Sequence, residues 1–102
     1  MFGLKPKDIE AINQCFAQYP QIEQVIIFGS RAKGNYKNGS DIDLTIVGDL
    51  DYSLLLKIEN QLDDLQIPYI IDLSLKHKIT NSHLLQHIHS VGIVFYEKKK
   101  DA

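Results

Sequence analysis

Phe28-Gly29-Ser30-Arg31-Ala32-Lys33-Gly34, then Asn35 to Asn38, then Gly39-Ser40-Asp41-Ile42-Asp43-Leu44 is the stretch that decides the fold. Ahead of it, Ile22 to Phe28 is dense in β-branched residues and stops at Gly29, which predicts a strand. Ser30 to Lys33 can open a short helix before Gly34, and Asn35 to Ser40 is turn chemistry bracketed by the breakers Gly34-Asn35 and Asn38-Gly39. Behind it, Ile42 to Val47 reads as a second strand. Its alternation sends Ile42, Leu44 and Ile46 to one face and Asp41, Asp43 and Thr45 to the other.

Outward from this stretch the periods change. Pro6 to Tyr19 spaces Ile9, Ile12, Phe16 and Tyr19 as a helix, with Pro6 suited to the first turn and Pro20 ending it. Asp51 to Asp64 places Leu55, Ile58 and Leu62 on one helical face, with Leu65 just beyond. Tyr69 to Leu75 predicts a third strand, Asn81 to Val91 a last helix with Gly92 as its C-terminal cap, and Ile93 to Tyr96 a short final strand. The order is that of a small α/β domain spanning residues 1–97, with 98–102 as a frayed tail.

The chemistry follows from the strand faces. Asp41 and Asp43 are neighbours on a polar face, and two carboxylates so placed repel unless a cation neutralises them. In the third strand Asp72 is a charge inside Tyr69-Ile70-Ile71-Asp72-Leu73, costly there unless paired or ligating. Beside the second strand it can join the other two, and three carboxylates form an all-oxygen donor set that suits Mg²⁺ or Mn²⁺ better than zinc. The Gly29-Ser30 turn presents backbone N–H groups of the kind that hold phosphate. The loop from Arg31 to Ser40 carries three bases and no acid, whereas Asp41 to Asp51 carries four acids and no base. That split suits a polyphosphate bridging a cationic loop and a metal-loaded carboxylate pair. A Walker A loop is excluded: Gly34 and Gly39 have the spacing, but Ser40 stands where lysine is needed, and after Gly29 and Gly34 comes Asn35. No Gly-x-Gly-x-x-Gly occurs.

Gly29-Ser30, ten residues, then Asp41-Ile42-Asp43 resembles the signature of the DNA polymerase β nucleotidyltransferase superfamily, and the fuller run is most like its minimal nucleotidyltransferases. The resemblance spans about Ile9 to Tyr96. It implies a small mixed β-sheet with helices mainly on one face, in a polymerase β palm-like fold, and Mg²⁺-dependent transfer of a nucleotidyl group, usually AMP from ATP, with two ions. Asp41 and Asp43 match the metal aspartates, and Asp72 matches the third carboxylate that takes part in metal binding and in activating the acceptor hydroxyl. Gly29 and Ser30 match the phosphate contacts, and Arg31 and Lys33 lie in a segment that is basic in many relatives. Minimal members are often paired with a small helical HEPN protein, which makes this chain similar to an antitoxin that adenylylates or binds a HEPN toxin. Two other classes stay open: a nucleotide- and partner-binding module without transfer, and a transferase for a small molecule.

Composition agrees with a single globular domain. The 102 residues are 44% hydrophobic and 24% charged, with net charge −2, so no global basic footprint predicts direct DNA binding. No apolar run approaches the roughly 20 residues of a membrane span, and no signal sequence opens the chain. One cysteine, Cys15, excludes an internal disulfide, fits the reducing cytoplasm and reads as core. His83 and His87 stand at i and i+4, but no third ligand has zinc-like spacing, so both read as solvated helix residues. With no second domain in view over the carboxylates, the acceptor must be met by a shallow groove, by self-association or by a partner.

Overall fold

The computed structural model describes residues 1–99. Pro6 sits in the first turn of α1 (Pro6–Ala17), where its missing N–H costs nothing. The β-branched run forms β1 (Ile22–Phe28) and hands over directly to α2 (Gly29–Lys33). β2 (Ile42–Gly48) follows the polar loop, and α3 (Tyr52–Asp64) is capped by Asp51, whose carboxylate accepts the Leu54 N–H at 2.9 Å. After β3 (Ile71–Leu75) and a single 3-10 turn (Lys76–Lys78), Asn81 caps α4 (Ser82–Val91) by accepting the Leu84 N–H at 3.1 Å. The last strand is β4 (Ile93–Glu97).

The strands form one sheet in the order β3-β2-β1-β4. β1 runs antiparallel to both β2 and β4, while β2 and β3 are parallel, joined by the crossover through α3. The sheet is thus mixed, as the resemblance implied. Val25, Ile27, Leu44 and Ile46 project from one face into a core filled by Ile12 and Phe16 of α1 and Leu55, Ile58 and Leu62 of α3, joined by Cys15. Each such side chain, fully buried, contributes roughly 1.5–3 kcal/mol. The expectation of helices mainly on one face holds for α1 and α3.

α4 takes the other face. A Cβ on Gly92, at its end, would come within 2.7 Å of Ile26 Cγ2, and Ile26 points away from Val25 and Ile27. This helix therefore flanks the face that carries the aspartates. Gly92 is the C-terminal cap of α4, as expected: its N–H donates to the Ile88 carbonyl at 2.8 Å, and its backbone is extended, with φ −62° and ψ 140°. The glycine is needed for close approach, since a side chain there would meet the Ile88 carbonyl as well as Ile26. Lys98, expected in the tail, continues the pairing by donating its N–H to the Glu23 carbonyl at 2.9 Å. Residues 100–102 of that tail lie outside the described residues.

Candidate functional site

The parallel pairing of β2 and β3 sets Asp43 directly beside Asp72, one residue pair below Leu44 and Leu73 in the register. Leu44 and Leu73 are buried in the core, so the strand alternation leaves the two carboxylates on the opposite face. Asp41 precedes β2 on the same parity. Asp41 and Asp72 are exposed, whereas Asp43 is half-buried. Burial pushes the Asp43 carboxyl above the ordinary carboxylate range; the charges of Asp72 and then Asp41 push it further, and His87 opposes them. Just below, Thr45 is fully buried and donates to the Ser74 carbonyl at 3.5 Å, while the Ser74 hydroxyl donates to Leu44 at 3.4 Å. These cross-links fasten the strands that hold the aspartates. Among the described residues, no three His, Cys, Asp or Glu side chains stand close enough to enclose an ion. The match to a divalent cation lies in donor type, register and uncompensated negative charge.

Gly29 adjoins this cluster because Phe28 pairs with Asp43 across the β1–β2 ladder. It has φ +73°, a left-handed conformation that side chains disfavour, and an added Cβ would run into Asp43 Oδ2. The Gly29 N–H donates to His87 Nε2 at 3.1 Å. Ser30 follows in α2, and Gly34 ends that helix in the left-handed region at φ 87°.

Arg31 has a different employment from the nucleotide contact expected of it. Its side chain is 3% exposed, its Nε and Nη2 donate to the Ser40 carbonyl at 3.0 and 2.8 Å, and its Nη1 donates to the Phe2 carbonyl at 2.9 Å. The guanidinium lies over the Tyr69 ring at 4.9 Å and the Tyr36 ring at 5.3 Å. Arg31 thereby grips the carbonyl immediately before Asp41 and shapes the loop from Gly34 to Ser40. Lys33 and Lys37 are exposed.

His87 is the residue that sequence reasoning passed over. It is half-buried rather than solvated, with its ring edge-on to Phe28 at a centroid distance of 6.1 Å. The signal for it was helical phase: it lies three residues after Leu84 and one before the buried Ile88, at the rim of the apolar stripe. His83, one turn earlier, is exposed.

Comparison with known proteins bears on the family and the fold. The profile of the family described as polymerase beta, nucleotidyltransferase matches residues 10–101. A Methanocaldococcus jannaschii protein that carries the name of a candidate protein adenylyltransferase is 40% identical over 50 residues, 48% of this chain and 50% of that one. The match thus spans about half of that relative's length. A Haemophilus influenzae candidate protein adenylyltransferase, MntA, is 28% identical over 99 residues, 95% of this chain and 86% of the relative. Among solved structures, a toxin–antitoxin complex with AMP-PNP aligns with a TM-score of 0.69 at 19% identity, covering 94% of this chain and 76% of the other. A complex of tri-AMPylated Shewanella oneidensis HEPN toxin with MNT antitoxin aligns with a TM-score of 0.67 at 16% identity, covering 93% and 74%. These structural likenesses are likenesses of fold.

Proposed function

Because the chain belongs to the polymerase β nucleotidyltransferase family, we propose that it moves AMP from ATP onto a hydroxyl of a HEPN-type toxin protein and so neutralises it, acting in the cytoplasm through one domain over residues 1–97. The observation that carries this reading is the pairing of Asp43 with Asp72 beside the Gly29-Ser30 turn. Negative charge is concentrated there, and a bound Mg²⁺ would supply positive charge against it. The names of the Methanocaldococcus and Haemophilus relatives support the choice of a protein acceptor. The exposed carboxylate face, with Ile70 beside Asp72 at 70% exposure, suits an acceptor brought by a partner.

In this reading Asp41, Asp43 and Asp72 would hold Mg²⁺, which would neutralise phosphate charge once bound. The Gly29-Ser30 turn receives phosphate oxygens, with the Ser30 N–H and hydroxyl as donors. Lys33, exposed on α2, adds positive charge toward the polyphosphate. Arg31 acts through the loop: by holding the Ser40 carbonyl it sets the backbone from which Asp41 projects. Asp72, the most open of the paired carboxylates, takes the proton of the attacking hydroxyl. The acceptor oxygen bonds to the α-phosphorus, the bond to the bridging oxygen breaks, and pyrophosphate leaves.

The test mixes this chain, ATP and Mg²⁺ with the HEPN-type product of a neighbouring gene and weighs the intact partner. Gain of one or more AMP units, lost with Asp72→Asn, is the expected result. A partner that binds tightly and never gains mass overturns the transfer reading in favour of a binding module. General-base assistance is typically worth about 10²–10⁴-fold in rate, so Asp72→Asn slows transfer by that order while ATP affinity changes less.

A further inference from the structure

We infer that His87 is a positioning residue for the phosphate turn: it holds the Gly29 N–H so that Ser30 is the group presented to the nucleotide. This rests on the reading of Gly29 and Ser30 as the phosphate contacts. The turn cannot hold itself. α2 is only five residues long, and Phe28, which precedes it, supplies no side-chain cap. Isolated turns of this length are unstable, because nucleation costs more than one hydrogen bond returns. The first N–H groups of such a segment lack partners within it. For Gly29 the partner comes from 58 positions further along the chain, the Nε2 of His87 at 3.1 Å.

His87 is itself placed with little freedom. Its neighbour Ile88 is 2% exposed and pins α4 to the sheet. Its ring stands at 80° to that of Phe28, the residue before Gly29, so one imidazole contacts both residues that flank the peptide it orients. Since Nε2 accepts, the ring proton resides on Nδ1. The φ of +73° at Gly29 makes that peptide's orientation a matter of outside restraint, because glycine has several basins open to it. With the Gly29 N–H occupied by His87, Ser30 is left as the donor of the turn. The same bond argues against His87 as a ligand for a cation beside Asp43, because its Nε2 lone pair is already engaged.

The test compares three forms of the whole chain. His87→Phe keeps the ring and its packing on Phe28 but removes the acceptor; His87→Gln restores an acceptor at similar reach through Oε1. Amide hydrogen exchange at Gly29, without nucleotide, is expected to be slow in wild type, fast in His87→Phe and slow again in His87→Gln. Affinity for Mg²⁺-ATP by titration calorimetry is expected to fall roughly tenfold in His87→Phe and to recover in large part in His87→Gln. Should phenylalanine not pack, His87→Leu removes the acceptor with less bulk and carries the same comparison. If exchange at Gly29 is unchanged, or if the acceptor-free variant binds ATP as well as wild type or better, the role of His87 is overturned while the transferase reading stands. Wild-type chain that binds no nucleotide overturns that reading and this inference with it.

Discussion

Asp43 faces Asp72 across the β2–β3 pair, lies beside Asp41 in sequence, and fills the space that Gly29 leaves by having no side chain. Like charges on adjacent strands destabilise, by roughly 0.2–1 kcal/mol. Asp43→Asn is therefore expected to abolish Mg²⁺-dependent transfer while raising the melting temperature of the metal-free chain by about 2–4 °C. The sign with pH follows from the raised folded-state value of Asp43. The unfolded carboxyl ionises at lower pH than the folded one, so the penalty appears as pH rises through the interval between them. The advantage of Asp43→Asn grows as pH rises from the ordinary carboxylate range toward the raised folded-state value and vanishes once the pH falls below the ordinary carboxylate range, which thermal melts of both chains across pH will register. Gly29→Ala tests the same contact from the other side. It forces a side chain into a left-handed backbone, at a cost of at least ~1 kcal/mol, and into the Asp43 carboxylate. We expect both lower stability and weaker ATP binding, the latter read by calorimetry.

At the scale of elements, the caps are clean tests because each exposed side chain accepts from the first turn of its own helix. Asn81→Ala removes the acceptor for the Leu84 N–H and is expected to cost about 1 kcal/mol in chemical denaturation. Because α4 carries His87, the same change should also quicken exchange at Gly29. Asp51→Ala should cost a similar amount and leave Gly29 untouched, since it caps α3 on the far face. How much of this was legible in the sequence differs by element. β1 was readable to both ends, because the β-branched run and Gly29 mark them, and the alternation of β2 told that Asp41 and Asp43 share a face. The capping roles of Asp51 and Asn81 sat at the ends of the predicted helices. The side of the sheet that α4 covers was not legible: helical periodicity says that a face is buried, never against which surface. His87 was missed for that reason. Arg31 was read from its charge, which does not reveal that three of its N–H donors are turned to the Ser40 and Phe2 carbonyls. Gly92 was read correctly as a cap, but a capping rule does not reveal how closely Ile26 and Ile88 crowd it.

At the scale of the molecule, the strand order brings β4 beside the residues that precede α1. Phe95 of β4 is 7% exposed, lies 6.0 Å from Phe2 between ring centroids, and its carbonyl accepts Asn13 Nδ2 at 3.2 Å. Phe95→Ala is expected to destabilise by about 3–5 kcal/mol in urea unfolding, as for other buried aromatics. A loss below ~1 kcal/mol would mean that β4 is not integral to the core. β4 pairs with β1, some seventy positions earlier, and such distant pairings are slow to form. While the chain is being made, every residue of the candidate site has been synthesised before β4, yet the strand bearing the Gly29 turn still has one side open. The candidate site is therefore written in full before the sheet that holds it is sealed. A stop codon after Gly92 would spare all three aspartates, the Gly29-Ser30 turn and His87, and still deprive the cell of the protein.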